Sequence, residues 1–308
     1  MEASPHRSVL VAEVVAFATG ERDHVEPWVA VDATLGAGGH AEALLRRVGS
    51  AGRVLGLDRD PDALSLAQAR LGGFGDRVRF VRAGFAELAD VVASHGWGRV
   101  DAVIYDLGVS SMQLDRGERG FSFRQDAPLD MRMDPSGAKT AADVVNDYDQ
   151  AELADVLFHY GDERHARRIA AAIVAARPIA TTSELAAVID AAMPAASKRD
   201  QHPARRSFQA LRIEVNGELD QLEASLPQAG QVLAPGGRLV ALSYHSLEDR
   251  VVKRALGEAS RGETPRLRVL TKHPVTPSER ELAENPRSSA AKLRAAERTG
   301  APWGGDAA

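Results

Sequence analysis

The stretch that decides the fold class is Trp28–Asp60, which reads WVAVDATLGAGGHAEALLRRVGSAGRVLGLDRD. Its apolar run over residues 28–34 predicts a buried strand, and the glycines that follow predict a tight turn. Apolar residues recur at helical spacing over residues 40–48, and a second apolar run over residues 53–57 predicts another strand. Because parallel strands need a long crossover, this order of strand, helix and strand predicts a parallel pair.

The same alternation continues along the first hundred residues. Pro61 stands where a helix can begin, and residues 63–71 keep helical spacing. Residues 78–81 and 100–105 predict two more strands, and residues 238–243 predict a later one. Near-continuous apolar strands are typical of a parallel sheet that is covered on both faces. We therefore expect an α/β fold with a mostly parallel, doubly wound sheet that binds ligands at the carboxyl ends of its strands.

The pattern changes after Gly108, where a loop-like stretch rich in Gly, Asp and Arg begins. Three helical patterns follow, at residues 151–160, 164–177 and 183–192. We expect Thr182 or Ser183 to cap the last of these helices, because both side chains can accept a hydrogen bond from the first turn.

The domain organisation that follows is a sheet domain interrupted by a mainly helical insertion. The sheet domain takes residues 1–108 and 216–308, and the insertion takes residues 109–215. A weaker strand is expected at residues 266–270. The tail after Pro274 is polar and rich in Ala and Arg, so we expect it to be partly disordered.

The composition is that of a soluble globular protein, with 44% apolar and 26% charged residues in a chain of 308. The chain has no cysteine, which excludes disulfides, thiolate zinc sites and a cysteine nucleophile, and no metal is expected. Glu13 interrupts the N-terminal apolar stretch, which therefore does not resemble a signal peptide. No segment has the apolar length of a membrane span, so we expect a cytoplasmic protein without a membrane partner.

The net charge is −5, yet positive charge is concentrated between residues 164 and 212. Nine basic residues lie there: Arg164, Arg167, Arg168, Arg177, Lys198, Arg199, Arg205, Arg206 and Arg212. They stand against three acids, Glu184, Asp190 and Asp200. A basic surface of this kind is typical of RNA contact, although a solvated helical face has the same composition.

The glycine turn has the features of a nucleotide-binding site. Asp58 follows Gly38 by twenty residues and ends the second strand, where an acid can accept hydrogen bonds from both hydroxyls of a ribose. Glycine allows a ligand to approach the backbone closely, which singles out Gly38 and Gly39. The spacing fits both a nicotinamide cofactor and S-adenosylmethionine. In the nicotinamide fingerprint the third glycine would stand at Ala41, a position where Ala is also allowed.

Three features favour S-adenosylmethionine over a nicotinamide cofactor. Phe85 follows the third strand, where its ring can pack on adenine. Asp106 ends the fourth strand, beside the expected position of the reacting group. No histidine or lysine stands out as suited to hydride transfer.

The whole chain carries motifs of one known family. The stretch DLGVSSMQLD (Asp106–Asp115) is similar to the bacterial 16S rRNA cytosine-N4 methyltransferase family, the ribosomal RNA small subunit methyltransferase H family. Further matching motifs are DATLGAGGH (Asp32–His40), LDRDP (Leu57–Pro61), RGFSFRQDAPLDMRMD (Arg119–Asp134), YGDERHARRIA (Tyr160–Ala170), HPARRSFQALRIEVNGEL (His202–Leu219), GGRLVALSYHSLEDRVVK (Gly236–Lys253) and KHPVTPSERELAENPRSSAAKLRAAER (Lys272–Arg298). Several long motifs in the right order are far more specific than the glycine turn alone.

The resemblance implies a class I S-adenosylmethionine methyltransferase fold, with a Rossmann-like sheet and an inserted helical domain. The donor-binding residues that it implies are Gly38, Gly39, His40, Asp58, Phe85, Asp106 and Gln113. The substrate that it implies is a cytidine in the decoding region of 16S rRNA in the small ribosomal subunit, and the product is N4-methylcytidine. The oligomeric state is left open between monomer and homodimer.

The chain departs from the family pattern at three positions. The family usually has Pro where Ser8 stands, often Thr where Arg205 stands, and Phe where Tyr244 stands. These departures bear on details of RNA contact rather than on the class of chemistry.

Methyl transfer to a cytosine amine needs orientation more than a strong base. The amine lone pair is delocalised into the ring, and lining the nitrogen up behind the methyl group supplies much of the rate. Many amino-methyltransferases place an Asp/Asn-Pro-Pro-aromatic motif after strand four, but residues 106–109 read DLGV. The hydrogen-bond acceptor for the amine is therefore Asp106, a backbone carbonyl beside it, or a group in the turn at residues 243–246. We take Asp106 and His245 as the catalytic candidates, with a structural bond from His245 to Glu248 as the alternative.

The RNA candidates come from the basic segment and one loop. His202, Arg205, Arg206 and Arg212 are selected because guanidinium groups bind phosphate bidentately and stack on unpaired bases. Arg132 is expected either to reach a phosphate or to order its loop by pairing with Asp130 or Asp134. Phe208 is expected in the core. The target base must leave its stack to meet the donor.

Three other functions remain compatible with the residues alone. The first is a nucleotide-dependent oxidoreductase, the second a non-catalytic RNA-binding factor on a methyltransferase fold, and the third a methyltransferase for DNA or a small molecule. The basic segment disfavours a small-molecule substrate, but it does not distinguish RNA from DNA.

Overall fold

A computed structural model of the protein describes residues 8–20, 27–194 and 202–303. The chain folds into two compact units. The first unit contains residues 1–108 and 219–308, and the second contains residues 109–218. Lys198, Arg199 and Asp200 of the basic segment lie outside the described residues.

The first unit is built around a seven-stranded sheet. Its strands are β1 (Val29–Asp32), β2 (Arg53–Asp58), β3 (Val78–Arg82), β4 (Val100–Asp106), β5 (Leu233–Ser243), β6 (Leu267–Val269) and β7 (Lys292–Arg298). They lie in the order β3-β2-β1-β4-β5-β7-β6. The first five in that order pair in parallel, and β7 pairs antiparallel with both β5 and β6. The prediction of a mostly parallel α/β sheet is confirmed.

Helices cover both faces of this sheet. They are α1 (Val11–Thr19), α2 (Gly39–Arg47), α3 (Pro61–Leu71), α4 (Leu88–Ser94), α11 (Glu218–Val232) and α12 (Ser246–Ala259). A further short helix of this unit, α13 (Glu279–Glu284), buries none of its residues. On one face Val103 and Tyr105 of β4 pack in the same core cluster as apolar residues of α4, α11 and α12. On the other face Ala102 and Ile104 pack with α1 and α2. Successive β4 side chains are therefore buried on opposite faces, which explains the continuous apolar run.

The predicted disorder of the tail after Pro274 is wrong for the residues that the structure describes. Residues 292–298 form β7, which lies between β5 and β6, and Leu293 and Ala295 are fully buried. The polar composition is misleading because Arg294 is also buried, and its guanidinium pairs with both carboxylate oxygens of Asp249 at 2.6 and 3.2 Å.

The second unit is helical around its own core. Its helices are α5 (Ser111–Asp115), α6 (Ala141–Asp147), α7 (Gln150–Gly161), α8 (Ala166–Ala176), α9 (Thr182–Ala192) and α10 (Ala204–Asn216). Buried residues such as Leu153, Ile169, Ile189 and Leu211 pack together in one cluster. Phe208 is 4% exposed and belongs to this cluster, which confirms its predicted place in the core.

The cap of α9 lies one residue earlier than predicted. Thr181 is the N-cap residue: its hydroxyl accepts from the N–H of Glu184, and the Glu184 carboxylate accepts from the N–H of Thr181. Thr182 is instead the first helical residue, and its hydroxyl donates to the carbonyl of Gln125. The prediction of Thr182 or Ser183 is wrong because a reciprocal capping box with Glu184 requires the threonine three residues before it.

Among the described residues, no helix has both the length and the apolar character needed to cross a bilayer.

Candidate functional site

Three carboxylates lie at the carboxyl ends of neighbouring strands in the first unit. Asp58 ends β2, Asp32 ends β1 and Asp106 ends β4, and these strands are adjacent in the sheet. In a doubly wound fold this edge is where ligands bind. Asp58 and Asp106 are among the predicted site residues, whereas Asp32 is not, although all three acids stand at the end of an apolar strand.

The glycine turn after β1 is joined to Asp58. One carboxylate oxygen of Asp58 accepts from the N–H of Gly36 at 2.8 Å, and the other accepts from the N–H of Asp60 at 2.9 Å. Each carboxylate oxygen has two lone pairs, so both can accept a further hydrogen bond from a ribose hydroxyl. Burial raises the pKa of Asp58 above its ordinary value, and the two backbone N–H groups act in the opposite direction.

Glycine is required at the next positions of the turn. Gly38 has a φ of +81° and is the N-cap residue of α2, and a Cβ there would lie 2.8 Å from a methyl carbon of Leu71. A Cβ at Gly39 would lie within 1.9 Å of the Ser8 hydroxyl oxygen. At both positions a side chain, that of Leu71 or Ser8, already occupies the place of a Cβ, so the packing around the start of α2 requires glycine.

Asp106 is held by groups from three other segments. The hydroxyl of Tyr244 donates to its Oδ1 at 2.7 Å, and Nδ1 of His40 lies 3.5 Å from its Oδ2. Its backbone N–H donates to the Thr34 hydroxyl at 2.5 Å. Its side chain is 26% exposed, so the carboxylate remains accessible at the edge of the sheet.

His40 is buried and connects Asp106 to the N-terminal segment. Its Nε2 lies 2.9 Å from the carbonyl oxygen of Val9. A carbonyl only accepts, so Nε2 carries a hydrogen and Nδ1 faces Asp106. The resemblance alone assigned His40 to the donor site, and the structure places it against Asp106.

Asp32 is the third carboxyl group of this edge, and it is fully buried. It is 1% exposed, and burial raises its pKa to about 7, although the neighbouring His40 opposes the shift. Its Oδ1 accepts from the N–H of Thr34 at 3.3 Å. A buried carboxyl with a pKa near neutrality beside a candidate ligand site is a feature of functional clefts.

Phe85 follows β3 and packs at the rim of the core. Its ring meets the Tyr105 ring edge to face with centroids 6.0 Å apart, and the guanidinium carbon of Arg59 lies 5.9 Å from its centroid. The ring is only partly buried. It therefore combines a packed side with exposed surface, as an adenine platform requires.

His245 occupies a structural position at the start of α12. It is the N-cap residue, and its Nδ1 accepts from the N–H of Glu248 at 3.4 Å. Its Nε2 lies 3.0 Å from a Glu248 carboxylate oxygen, without meeting the geometry of a hydrogen bond. This arrangement matches the alternative in which His245 has a structural role through its contact with Glu248. The catalytic role of His245 stays a prediction.

Gln113 belongs to the second unit. Its side-chain oxygen accepts from the N–H of Ser110 at 3.0 Å, while the Ser110 hydroxyl accepts from the N–H of Gln113. The pair forms a capping box at the start of α5. The role of Gln113 in donor binding stays a prediction.

The RNA candidates of the second unit fall into two groups. Arg132 and Arg212 are already paired: Arg132 bonds both oxygens of Asp130 at 2.9 and 2.6 Å, and Arg212 bonds both oxygens of Glu218 at 2.7 and 2.9 Å. Arg132 also donates to the carbonyl of Gly137, so it orders its loop. Bidentate pairs of this kind weaken the case for phosphate contact by these two arginines.

The other RNA candidates are exposed at the start of α10. Arg205 and Arg206 are both exposed, and Arg206 donates to the carbonyl of Asp162 at 3.3 Å. The ring of His202 is stacked on Phe123 with centroids 4.2 Å apart. Through this bond, the first turn of α10 contacts the segment that leads into α8. Helix α8 itself carries Arg167 and Arg168 in its first turn.

Comparison with known proteins gives one consistent result. Residues 3–299 match the family model described as the MraW methylase family. A protein of Heliobacterium modesticaldum called ribosomal RNA small subunit methyltransferase H is 48% identical over 88% of this chain and 92% of its own length. A protein of the same name from Acidothermus cellulolyticus is 49% identical over 95% of this chain and 93% of its own length.

Among the solved structures that align with the chain is that of an rRNA methylase from Streptococcus thermophilus. It aligns with 97% of this chain and 99% of its own, at 13% sequence identity and a TM-score of 0.45.

Proposed function

This chain belongs to the MraW methylase family, and from that premise we propose that it methylates the exocyclic N4 amine of a cytidine in the decoding region of 16S rRNA. The proposed donor is S-adenosylmethionine, and the proposed substrate is the small ribosomal subunit in the cytoplasm. Relatives about half identical over most of the chain are called ribosomal RNA small subunit methyltransferase H, which supports the substrate. The observation that best supports this chemistry is the position of the Asp58 and Asp106 carboxylates at the carboxyl edge of the sheet.

The residues of the first unit fit an adenosyl donor. Asp58 has lone pairs left for two ribose hydroxyls, and the backbone at Gly38 and Gly39 is free of Cβ atoms. Phe85 offers ring surface to an adenine. When bound, the donor supplies an electrophilic methyl group on a sulfonium, and the carboxylates of this edge are suited to a positively charged ligand.

Asp106 performs the central step in this proposal. Its carboxylate accepts a hydrogen of the cytosine amine, which turns the nitrogen lone pair toward the methyl carbon. As the nitrogen–carbon bond forms, the bond between the methyl carbon and the sulfonium sulfur would break and S-adenosylhomocysteine would leave. The amine proton becomes acidic and is taken up by the carboxylate or by water beside it. Hydrogen bonding from Tyr244 and the proximity of His40 limit the rotation of this carboxylate, so orientation supplies most of the effect.

The RNA-facing surface of the second unit is proposed to include Arg205 and Arg206. Both are exposed, and they lie in the first turn of a helix that has no acidic residue there. Phosphate oxygens are the natural partners of exposed arginines at such a position. His202, stacked on Phe123, is included as a neighbouring contact.

The donor assignment is tested by thermal stabilisation of the purified protein. S-adenosylhomocysteine is expected to raise the melting temperature, because a ligand that binds only the folded state stabilises it. A nicotinamide dinucleotide is expected to leave the melting temperature unchanged. The opposite pattern would move the protein to the oxidoreductase class, and stabilisation without any methyl transfer to small subunits would make it a binding factor.

A further inference from the structure

The hydroxyl of Tyr244 bridges two neighbouring strand ends. Tyr244 directly follows β5, and Leu242 of β5 is paired with Asp106 of β4 in the sheet. From this position the phenol reaches across and donates to Asp106 Oδ1 at 2.7 Å. The sequence does not reveal this bond, because it depends on the register between two strands that are distant in the chain.

Several contacts fix the tyrosine itself. Its backbone N–H donates to a Glu248 carboxylate oxygen at 2.8 Å, and its ring packs against the core cluster beneath the sheet edge. Burial, together with the negative charge of Asp106, raises the pKa of Tyr244 far above its ordinary value. The hydroxyl therefore keeps its proton at every pH of interest and acts as a donor to the carboxylate.

A phenol is suited to this place because it orients a carboxylate without neutralising it. Among the described residues the basic side chain beside Asp106 is His40, whose Nδ1 lies 3.5 Å from Oδ2 and which is charged only if protonated; no lysine or arginine pairs with Asp106. An arginine would hold the same oxygen but would also place a positive charge beside a sulfonium. A tyrosine hydroxyl gives a charge-assisted hydrogen bond with fixed direction and leaves the negative charge in place.

We propose that Tyr244 is a positioning residue for methyl transfer, whose hydroxyl sets the rotation of the Asp106 carboxylate toward the cytosine amine. This inference rests on the proposed function, since it needs Asp106 beside the reacting amine. The tyrosine does not touch the substrate in this account. It acts through Asp106, and its effect therefore disappears when Asp106 no longer contributes.

The test is a double-mutant cycle with Tyr244→Phe and Asp106→Ala, assayed for methyl transfer to small subunits that lack the modification. Tyr244→Phe removes one oxygen atom and retains the ring. We expect kcat to fall about tenfold, as for loss of one hydrogen bond to a charged group, with KM for donor and subunit within about twofold of the wild type. In the Asp106→Ala background, which has no acceptor for the phenol, the same substitution should change the remaining kcat less than about twofold.

The matched control is Tyr148→Phe in the second unit, where the Tyr148 hydroxyl donates to a Glu214 carboxylate oxygen at 2.6 Å. This control loses a phenol–carboxylate bond and also the bond that the hydroxyl accepts from Lys139 Nζ at 3.0 Å, so it should lower the melting temperature at least as much while leaving kcat unchanged. The inference is overturned if Tyr244→Phe keeps wild-type kcat, if it costs the same factor in both backgrounds, or if Tyr148→Phe lowers kcat equally. Full turnover by Asp106→Asn would instead refute the proposed role of Asp106.

Discussion

At the scale of single residues, the sequence identifies the acids at strand ends but not their partners. Asp58 and Asp106 are recognisable because each directly follows an apolar run. The groups that give them their properties come from far along the chain: Tyr244 lies 138 residues from Asp106. Likewise, the bond from His40 to the Val9 carbonyl depends on how the N-terminal segment packs on α2. Tertiary contacts of this kind have no local sequence signal.

Asp106→Asn is the substitution that bears most directly on the chemistry. The amide is a weaker acceptor and cannot take up a proton, so we expect kcat to fall roughly a hundredfold. The melting temperature should change little, because the side chain is partly exposed and keeps its shape. Single-turnover assays with labelled donor measure the effect, and wild-type turnover in a folded Asp106→Asn protein would contradict it.

Asp32 should make the stability of the protein depend on pH. Its pKa is raised to about 7 in the folded state by burial, so the folded protein binds this proton more tightly than the unfolded chain does. Stability is therefore highest below pH 4 as far as this group is concerned, and it decreases as the pH rises from about 4 to about 7. Ionisation of Asp32 in the folded state should lower the free energy of unfolding by on the order of 4 kcal/mol once the pH is well above 7.

Asp32→Asn should remove that decrease. Free energies of unfolding, measured for both proteins by urea denaturation between pH 4 and pH 8, should converge at low pH and diverge toward pH 8, with the variant more stable. Parallel curves would mean that Asp32 titrates at its ordinary pKa.

At the scale of elements, the strands with continuous apolar runs are the ones that sequence predicts well. Strand β7 is missed because four of its seven residues are charged, at positions 292, 294, 297 and 298. Two of these are buried, since Arg294 pairs with Asp249 and Arg298 donates to the carbonyls of Gly230, Gln231 and Leu233. A buried arginine whose hydrogen-bond partners lie far along the chain looks like part of a polar tail in the sequence.

Leu293→Ala tests whether β7 is integral to the sheet. Leu293 is fully buried, so truncation should cost about 2–5 kcal/mol in the free energy of unfolding. Leu282→Ala, in the same tail but 38% exposed, is the matched control and should cost less than about 1 kcal/mol. Both free energies of unfolding are measured by chemical denaturation. If both substitutions cost equally little, the tail does not pack as a strand of the sheet and the prediction of disorder holds.

At the scale of the whole molecule, an acidic protein is proposed to bind RNA through a local basic surface. Exchanging Arg205 and Arg206 for Glu should weaken binding to small subunits at least roughly tenfold and reduce the slope of log K against log salt by about two. Arg46 and Arg47, also adjacent and exposed, provide a matched control with the same change of charge. If both double variants lose affinity equally, net charge rather than this surface governs binding.

The division into a sheet unit and a helical unit also follows from residue patterns, since the period of apolar residues changes after Gly108. The identity of the methylated atom does not follow from such residue patterns. It comes from the resemblance of long motifs, because an acid at a strand end orients many different amines. A chemical measurement identifies the methylated atom directly.

That measurement is the analysis of nucleosides from small subunits that lack the modification, after incubation with the protein and methyl-labelled S-adenosylmethionine. We predict that the label appears in N4-methylcytidine at one position of the decoding region and is absent with the Asp106→Asn protein. Label in another nucleoside, or no label in RNA despite donor binding, would contradict the proposed reaction.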